Sequence, residues 1–193
     1  MKKVLLLGDS IRMGYQDFVK QILDGECEVY FSEDNGRFAS YTLWQANQMF
    51  KEFGYFEVVH FNTGYWDMNV EAPMKEAMTP VDEYCHTMKR IINLSRDNAA
   101  NLIYATTLPV LEKGSALDVS NTGGYITYDN KWVSSYNNAA KKLMNEENVA
   151  INDLYELVHK NKNYYKCPDL LHLTVEGYKA CAGQIASYIR KYL

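Results

Sequence analysis

The chain has 193 residues, of which 47% are hydrophobic and 23% charged, proportions typical of a folded globular protein rather than a disordered or fibrous one. Its 24 acidic and 20 basic residues are mixed along the sequence and leave a net charge of −4, so no basic face favours binding to nucleic acid or to an anionic membrane. No apolar segment approaches the length that spans a membrane, and the chain length favours one domain over residues 1–193.

The N-terminus predicts a cytoplasmic location. Only four apolar residues follow Met1-Lys2-Lys3, and this run is too short for the core of a signal peptide. The cysteines show neither Cys-x-x-Cys spacing nor neighbouring histidines, so we expect reduced thiols and no zinc site. The rest of the sequence implies no metal ion and no cofactor. These cysteines are Cys27, Cys85, Cys167 and Cys181.

The first element ends in a Gly-Asp-Ser sequence. Residues 4–7 are continuously apolar, which predicts a parallel strand covered on both faces, and helical spacing follows over about 11–23. Ser10 therefore lies where a strand turns into a helix. Asp and Ser are common helix caps, but this edge of an α/β sheet is also where ligands bind, so Ser10 has both a structural and a functional interpretation.

The alternation of strand and helix recurs along the chain. Further strands are predicted over 27–31, 56–61, 102–105 and 149–151. Helices are predicted over 40–53, from Pro80 onward, and over 129–147, 154–158 and 175–192. The stretches 68–79 and 111–131 lack periodicity and are predicted to be irregular loops. The pattern predicts an α/β fold, a three-layer α/β/α sandwich around a five-stranded parallel sheet.

A second short motif precedes the last helix. Asp169 and His172 are three residues apart in a turn, so a carboxylate and an imidazole can face the same side. A carboxylate bonded to one ring nitrogen leaves the other nitrogen free to accept a proton, as a serine nucleophile requires. Asp67, at the end of the third predicted strand, is the one rival carboxylate for His172, while an isolated Asp-x-x-His is more often structural.

The order of these two motifs resembles that of the SGNH or GDSL hydrolase family, over nearly the whole chain. The resemblance implies a flavodoxin-like SGNH hydrolase fold in which Ser10 is the nucleophile and Asp169 and His172 complete a catalytic triad. It also implies an oxyanion hole with three donors. These are the backbone N–H of Ser10, a glycine N–H after the second strand and an asparagine side chain in a Gly-x-Asn-Asp motif after the third.

The chain departs from the family at the last two donors. Gly64-Tyr65-Trp66-Asp67 keeps the outer residues of the Gly-x-Asn-Asp motif but has Trp66 where the asparagine is expected, so Asn62 is the best substitute. In the second block the donor is Gly36, or Ser40 under a different alignment. Turn formation is an equally good explanation for Asn35, Asn62 and Gly64.

The resemblance and the triad predict a serine esterase that acts on short acyl esters, particularly acetyl groups on carbohydrate. Polar and aromatic residues expected next to the substrate are Asp9, Asn35, Gly64 and Trp66, although Asp9 also suits a structural acceptor in the turn. Further rings that could stack on a sugar belong to Tyr41, Trp44, Tyr65 and Tyr125. Two alternatives remain open: a lysophospholipase or thioesterase for longer acyl chains, and a catalytically weak binding module. The sequence does not indicate an oligomeric state.

Overall fold

A computed structural model describes residues 1–111, 116–118, 125–165 and 169–193. Its main sheet has five strands: β1 (Lys3–Leu7), β2 (Glu28–Phe31), β3 (Phe56–Phe61), β5 (Ala99–Ala105) and β8 (Ala150–Asn152). All five are parallel and lie in the order β2-β1-β3-β5-β8. This is the flavodoxin-like order, with the first strand inside the second, and it confirms the predicted α/β sandwich.

Helices cover both faces of the sheet. One face carries α1 (Ser10–Ile22), α6 (Leu154–His159) and α7 (Val175–Arg190), because α7 packs against both of the others. The opposite face carries α2 (Ala39–Phe53), α4 (Val81–Arg96) and α5 (Asn130–Glu146), with α4 between the other two. A 3-10 turn, Lys162–Tyr164, packs on α7.

The buried positions explain why these segments form these elements. Residues 4–7 of β1 are all buried because helices cover the sheet on both sides. On α1 the buried Ile11, Tyr15 and Val19 follow helical spacing. On α4 the buried Tyr84, Met88, Ile91 and Ile92 also follow helical spacing, whereas Val81 in the first turn is 36% exposed.

The two stretches predicted to be irregular loops contain regular structure. A one-turn helix, α3 (Tyr65–Met68), precedes β4 (Val70–Glu71), and β6 (Ala116–Asp118) and β7 (Tyr125–Thr127) lie in the second stretch. They form an antiparallel sheet in the order β4-β7-β6. The loop prediction was wrong here because strands of two or three residues are too short to show periodicity and are paired by partners far away in sequence. Residues 72–79 contain no helix or strand, as predicted, and residues 112–115 and 119–124 lie outside the described residues.

The parallel arrangement brings the ends of β1, β2 and β3 to one edge of the sheet. Leu7 pairs with Phe61, so the segments that follow β1 and β3 leave the sheet side by side. Asn62 N–H donates to the Leu7 carbonyl oxygen at 3.1 Å, which extends this pairing to the first residue after β3. Residues from three separate loops therefore meet next to Ser10.

Candidate active site

Ser10 is the first residue of α1, directly after the turn that leaves β1. Asp9 caps this helix, and its carboxylate accepts a hydrogen bond from the backbone N–H of Ile11 at 3.0 Å. A β-carbon on Gly8, whose φ is +151°, would collide with the Asn62 side chain, so the turn requires glycine. The cap belongs to Asp9, which leaves the Ser10 hydroxyl available for other contacts.

His172 connects Ser10 to Asp169. Its Nε2 lies 2.8 Å from the Ser10 Oγ, and its Nδ1 lies 2.9 Å from the Asp169 Oδ2. The other carboxylate oxygen of Asp169 accepts the backbone N–H groups of Leu171 and His172, at 3.1 and 3.0 Å. The structure thus brings together the three residues that the two motifs predicted. Cys167 and Pro168, which open the second motif, lie outside the described residues.

The hydrogen bonds around Asp169 keep it ionised. Partial burial opposes its charged form, but the bonds from Leu171 and from the ring and backbone of His172 outweigh burial, and the pKa of Asp169 lies below its ordinary value. The Asp169 and His172 side chains are 25% and 30% exposed. An ionised Asp169 selects the tautomer with a proton on Nδ1, so that Nε2 can accept the Ser10 hydroxyl proton.

Beneath Ser10, the Asp9 and Asn62 side chains form a buried polar floor with Tyr15. Asn62 Nδ2 donates to the Asp9 Oδ1 at 3.2 Å, and the Tyr15 hydroxyl donates to the Asn62 Oδ1 at 2.9 Å. Asp9 is 1% exposed and its pKa is raised by burial. Asp9 was expected next to the substrate, but the structure places it in the cap and the floor because the α1 N-terminus needs its carboxylate.

Asn62 was expected to donate to the oxyanion. The structure instead buries it, with 4% of its surface exposed, and engages its amide at both ends. A buried amide with both groups bonded supports the turn that carries Ser10. The alternative interpretation from the sequence, turn formation, fits this geometry.

The loop after β2 is bonded to the loop after β1. Gly36 N–H donates to the Gly8 carbonyl oxygen at 2.9 Å, so this predicted oxyanion donor already has an acceptor. Asn35 was expected near the substrate, but its side chain accepts the Arg37 N–H at 2.9 Å and forms a local turn. Ser40, the alternative donor, lines a groove between α2 and α4 together with Trp44.

Sequence analysis missed Arg12, which is fully buried and holds the first two loops together. Its guanidinium donates to the Ser32 and Asp34 carbonyl oxygens, both at 2.7 Å, and to the Gln16 side chain. Burial lowers its pKa, but a guanidinium stays charged at neutral pH. The sequence did contain a sign that Arg12 is buried: Arg12 and Gln16 are four residues apart and share a helix face with the buried Val19.

The third loop contains Gly64, Trp66 and Asp67. Gly64 immediately precedes α3 and accepts the N–H groups of Asp67 and Met68, so it forms the turn rather than the predicted substrate contact. Trp66 is half-buried, and its ring packs edge-to-face on Phe38 with centroids 5.5 Å apart.

Asp67 is not the partner of His172. Its carboxylate accepts the N–H of Ala39, the first residue of α2, at 3.0 and 3.2 Å, and the Thr63 hydroxyl at 3.1 Å. Burial raises its pKa to about 6, against the effect of these hydrogen bonds. Asp67 therefore caps α2 from a neighbouring loop, and Asp169 is the carboxylate that contacts His172.

Within the described residues, no group of three or more histidine, cysteine or acidic side chains could hold a metal ion. Of the four cysteines, Cys27, Cys85 and Cys181 are free thiols, and Cys167 lies outside the described part. No helix in the same part of the chain is both long and apolar enough to span a membrane.

No protein-family model and no curated protein sequence matches this chain. Solved structures do match it. A GDSL-like lipase from Bacteroides thetaiotaomicron has a TM-score of 0.74 at 18% identity, over 100% of this chain and 89% of that protein. A lipase/acylhydrolase from Enterococcus faecalis has a TM-score of 0.75 at 18% identity, over 99% and 96%. A carbohydrate acetylesterase from Sinorhizobium meliloti has a TM-score of 0.73 at 12% identity, over 100% of both chains. The chain has the fold of these GDSL-type hydrolases.

Proposed function

We propose that this protein is a serine esterase that works through an acyl-enzyme. The observation that carries the proposal is the continuous contact from Ser10 Oγ through His172 to the Asp169 carboxylate, at 2.8 and 2.9 Å. A serine hydroxyl is a weak nucleophile at neutral pH and needs a positioned base, which contributes about 10²- to 10⁴-fold to the rate. The fold shared with GDSL-type esterases and lipases supports the same reaction.

The contacts define the order of proton transfers. Ser10 Oγ bonds to the ester carbonyl carbon while His172 Nε2 takes the hydroxyl proton, and the carbonyl π electrons move to the oxygen. The tetrahedral intermediate collapses, the bond to the alcohol oxygen breaks, and the imidazolium returns the proton to the leaving alcohol. Water, deprotonated by the same nitrogen, then attacks the acyl carbon to form a second tetrahedral intermediate. This intermediate collapses, the bond from the acyl carbon to Ser10 Oγ breaks, and the imidazolium returns the proton to Ser10 Oγ as the carboxylic acid leaves.

Asp169 has two functions in this scheme. Its Oδ2 holds the Nδ1 proton of His172, which fixes the tautomer, and its ionised state stabilises the imidazolium that forms. Its Oδ1 is bonded to the backbone of the same turn, so the carboxylate cannot rotate freely. The Asp169 carboxylate and the His172 imidazole are therefore positioned before the substrate binds.

We infer a carbohydrate as the alcohol part of the ester from an aromatic surface on α2, the helix that follows the second active-site loop. The rings of Tyr41 and Trp44 are stacked with centroids 5.3 Å apart, and Trp44 is 53% exposed. Arg37 lies over the Tyr41 ring at 4.9 Å and follows Gly36, which is bonded to Gly8. An exposed indole next to hydrogen-bonding side chains is a surface on which a sugar ring can stack.

The other rings considered from the sequence do not add to this surface. Tyr65 is buried, and its hydroxyl donates to the Leu108 carbonyl oxygen at 2.6 Å, so it belongs to the core. Tyr125 lies in β7, and its side chain is outside the described part. The proposed substrate is thus an acetyl ester of a carbohydrate. One of the structural neighbours is itself described as a carbohydrate acetylesterase.

The test is a hydrolysis panel of p-nitrophenyl esters from acetate to palmitate, with an acetylated monosaccharide assayed by acetate release. We expect the highest kcat/KM for acetate, release of acetate from the sugar, and a loss of about 10³-fold or more in Ser10→Ala. A fluorophosphonate should label Ser10 and should not label the Ser10→Ala variant.

Ser135→Ala, a substitution of an exposed serine on α5, is the matched control and should behave as the wild type. A maximum at long acyl chains would favour a lysophospholipase or thioesterase. Absence of both hydrolysis and labelling in the wild type would indicate a binding module and contradict the esterase.

A further inference from the structure

The two oxyanion donors expected beside the Ser10 N–H, on the second and third loops, are both engaged in other hydrogen bonds. The Asn62 amide is bonded to Asp9 and Tyr15 in the buried floor, and the Gly36 N–H is bonded to the Gly8 carbonyl oxygen. A tetrahedral intermediate on Ser10 needs donors that the resting protein has not already engaged. A donor on the third loop must therefore come from another residue.

Trp66 occupies the position that the asparagine of the Gly-x-Asn-Asp motif would have. It is the second residue of α3, in the turn that follows β3, the strand next to β1. Asn62 and Gly64, on the same loop, already touch the Gly8 turn and form the base of α3. The loop thus places Trp66 at the sheet edge where Ser10 lies.

The contacts of Trp66 hold its ring but leave its donor unused. The ring packs on Phe38 at 5.5 Å and 74°, and the neighbouring Asp67 ties the same loop to the first N–H of α2. The hydroxyl of the adjacent Tyr65 donates to the Leu108 carbonyl oxygen, whereas no hydrogen bond from the Trp66 indole N–H is seen among the described residues. An indole nitrogen can only donate, so a fixed, half-exposed indole suits a developing negative charge.

We propose that the Trp66 Nε1–H donates to the oxyanion of the tetrahedral intermediate, together with the Ser10 backbone N–H. This inference rests on the proposed esterase function. Asn62 then has a supporting function, because its amide donates a hydrogen bond to the Asp9 carboxylate that caps α1. The substitution of tryptophan for asparagine preserves a donor at this position while the ring also packs on Phe38.

The decisive variant is Trp66→Phe, which keeps a smaller aromatic ring at this position and removes the N–H donor. With p-nitrophenyl acetate we expect kcat to fall about 10²- to 10³-fold, with little change in KM or Tm. Trp66→Asn, which restores an amide donor, should retain more kcat than Trp66→Phe. A phenylboronic acid, which forms a tetrahedral adduct with the serine, should inhibit Trp66→Phe less strongly than the wild type.

Trp132→Phe is the matched control, since it makes the same substitution on α5 and should leave kcat unchanged. Asn62→Ala should lower Tm, because it leaves the buried Tyr15 hydroxyl without its acceptor and removes one of the two donors to the Asp9 Oδ1. Wild-type kcat in Trp66→Phe would overturn the assignment. If Asn62→Ala then loses about 10²-fold in kcat at unchanged Tm, the donor is Asn62. An inactive wild type with an unlabelled Ser10 would instead contradict the esterase itself.

Discussion

At Gly36 the backbone of one active-site loop touches the backbone of another. The Gly36 N–H donates to the Gly8 carbonyl oxygen at 2.9 Å, and a β-carbon on Gly36 would collide with that same carbonyl group. Neither backbone can move aside without changing the turn that carries Ser10. Arg12 bonds to carbonyl oxygens on both sides of this contact, including that of Gly8 at 3.4 Å.

Gly36→Ala should therefore destabilise the protein and displace Ser10. We expect the free energy of unfolding to fall by about 1 to 3 kcal/mol, because the added methyl group overpacks a backbone contact. Gly183→Ala is the matched control: a β-carbon there meets nothing within 4 Å in the interior of α7, so it should stabilise by about 0.5 to 1 kcal/mol. Urea denaturation of both variants measures the difference, and equal stabilities would contradict the close contact.

Among the helices, α2 depends on a residue outside itself for its N-terminal cap. Phe38, at the cap position, has no side-chain acceptor, and Asp67 on the neighbouring loop accepts the first N–H instead. The same carboxylate is buried, which raises its pKa to about 6. The cap thus couples the second and third active-site loops to the ionisation of one carboxyl group.

The raised pKa of Asp67 determines the direction in which the free energy of unfolding changes with pH. The folded state binds this proton more tightly than the unfolded state, so stability decreases as the pH rises from about 4 to about 6 and above. Relative to Asp67→Asn, the wild type should gain about 1 kcal/mol when the pH falls from 7 to 5.

Chemical denaturation of both proteins at these two pH values tests this. The same comparison with Asp17→Asn, which replaces an exposed carboxyl on α1, serves as the control. A constant difference between wild type and Asp67→Asn at both pH values would show that Asp67 does not bind a proton in this range.

Across the whole molecule, a buried polar chain links the sheet to α7. The His60 Nε2 on β3 lies 3.3 Å from the Asn152 Nδ2 on β8. The Asn152 Oδ1 accepts a hydrogen bond from the Gln184 Nε2 on α7 at 2.7 Å. Burial lowers the pKa of His60 to about 3. The folded core therefore holds a neutral imidazole, whereas the unfolded chain takes up a proton near pH 6.5.

This difference predicts acid sensitivity of the global fold. The unfolded state binds more protons between about pH 6.5 and 3, so His60 should reduce the free energy of unfolding by about 2 kcal/mol between pH 7 and 5. The opposite contribution of Asp67 is common to the wild type and to His60→Gln, so their difference isolates His60. His86→Gln, on the exposed side of α4, is the control. Parallel pH profiles for wild type and His60→Gln would contradict the prediction.

Hydrophobic periodicity determined the main sheet and most of its helices, because each of these elements is long enough to show its own period. The Gly8-Asp9-Ser10 turn and the Asp169-His172 pair were also visible, since the first is set by local backbone geometry and the second by a spacing of three residues. The structure then shows Ser10 and His172 in contact across 162 positions of sequence, because α7, which begins just after His172, packs on α1.

Only the tertiary structure determined which polar side chains near the site are free of other hydrogen bonds and can contact a substrate. Asn62, Asp9 and Asp67 all follow strands and all suit a site, but each is engaged by a group from another loop or helix. Arg12 looked like an ordinary helix residue, yet it is the buried link between two loops. Hydrogen bonds of this kind depend on how separate loops meet in space. Local periodicity carries no information about the contacts between loops, because it reports only which face of an element is buried.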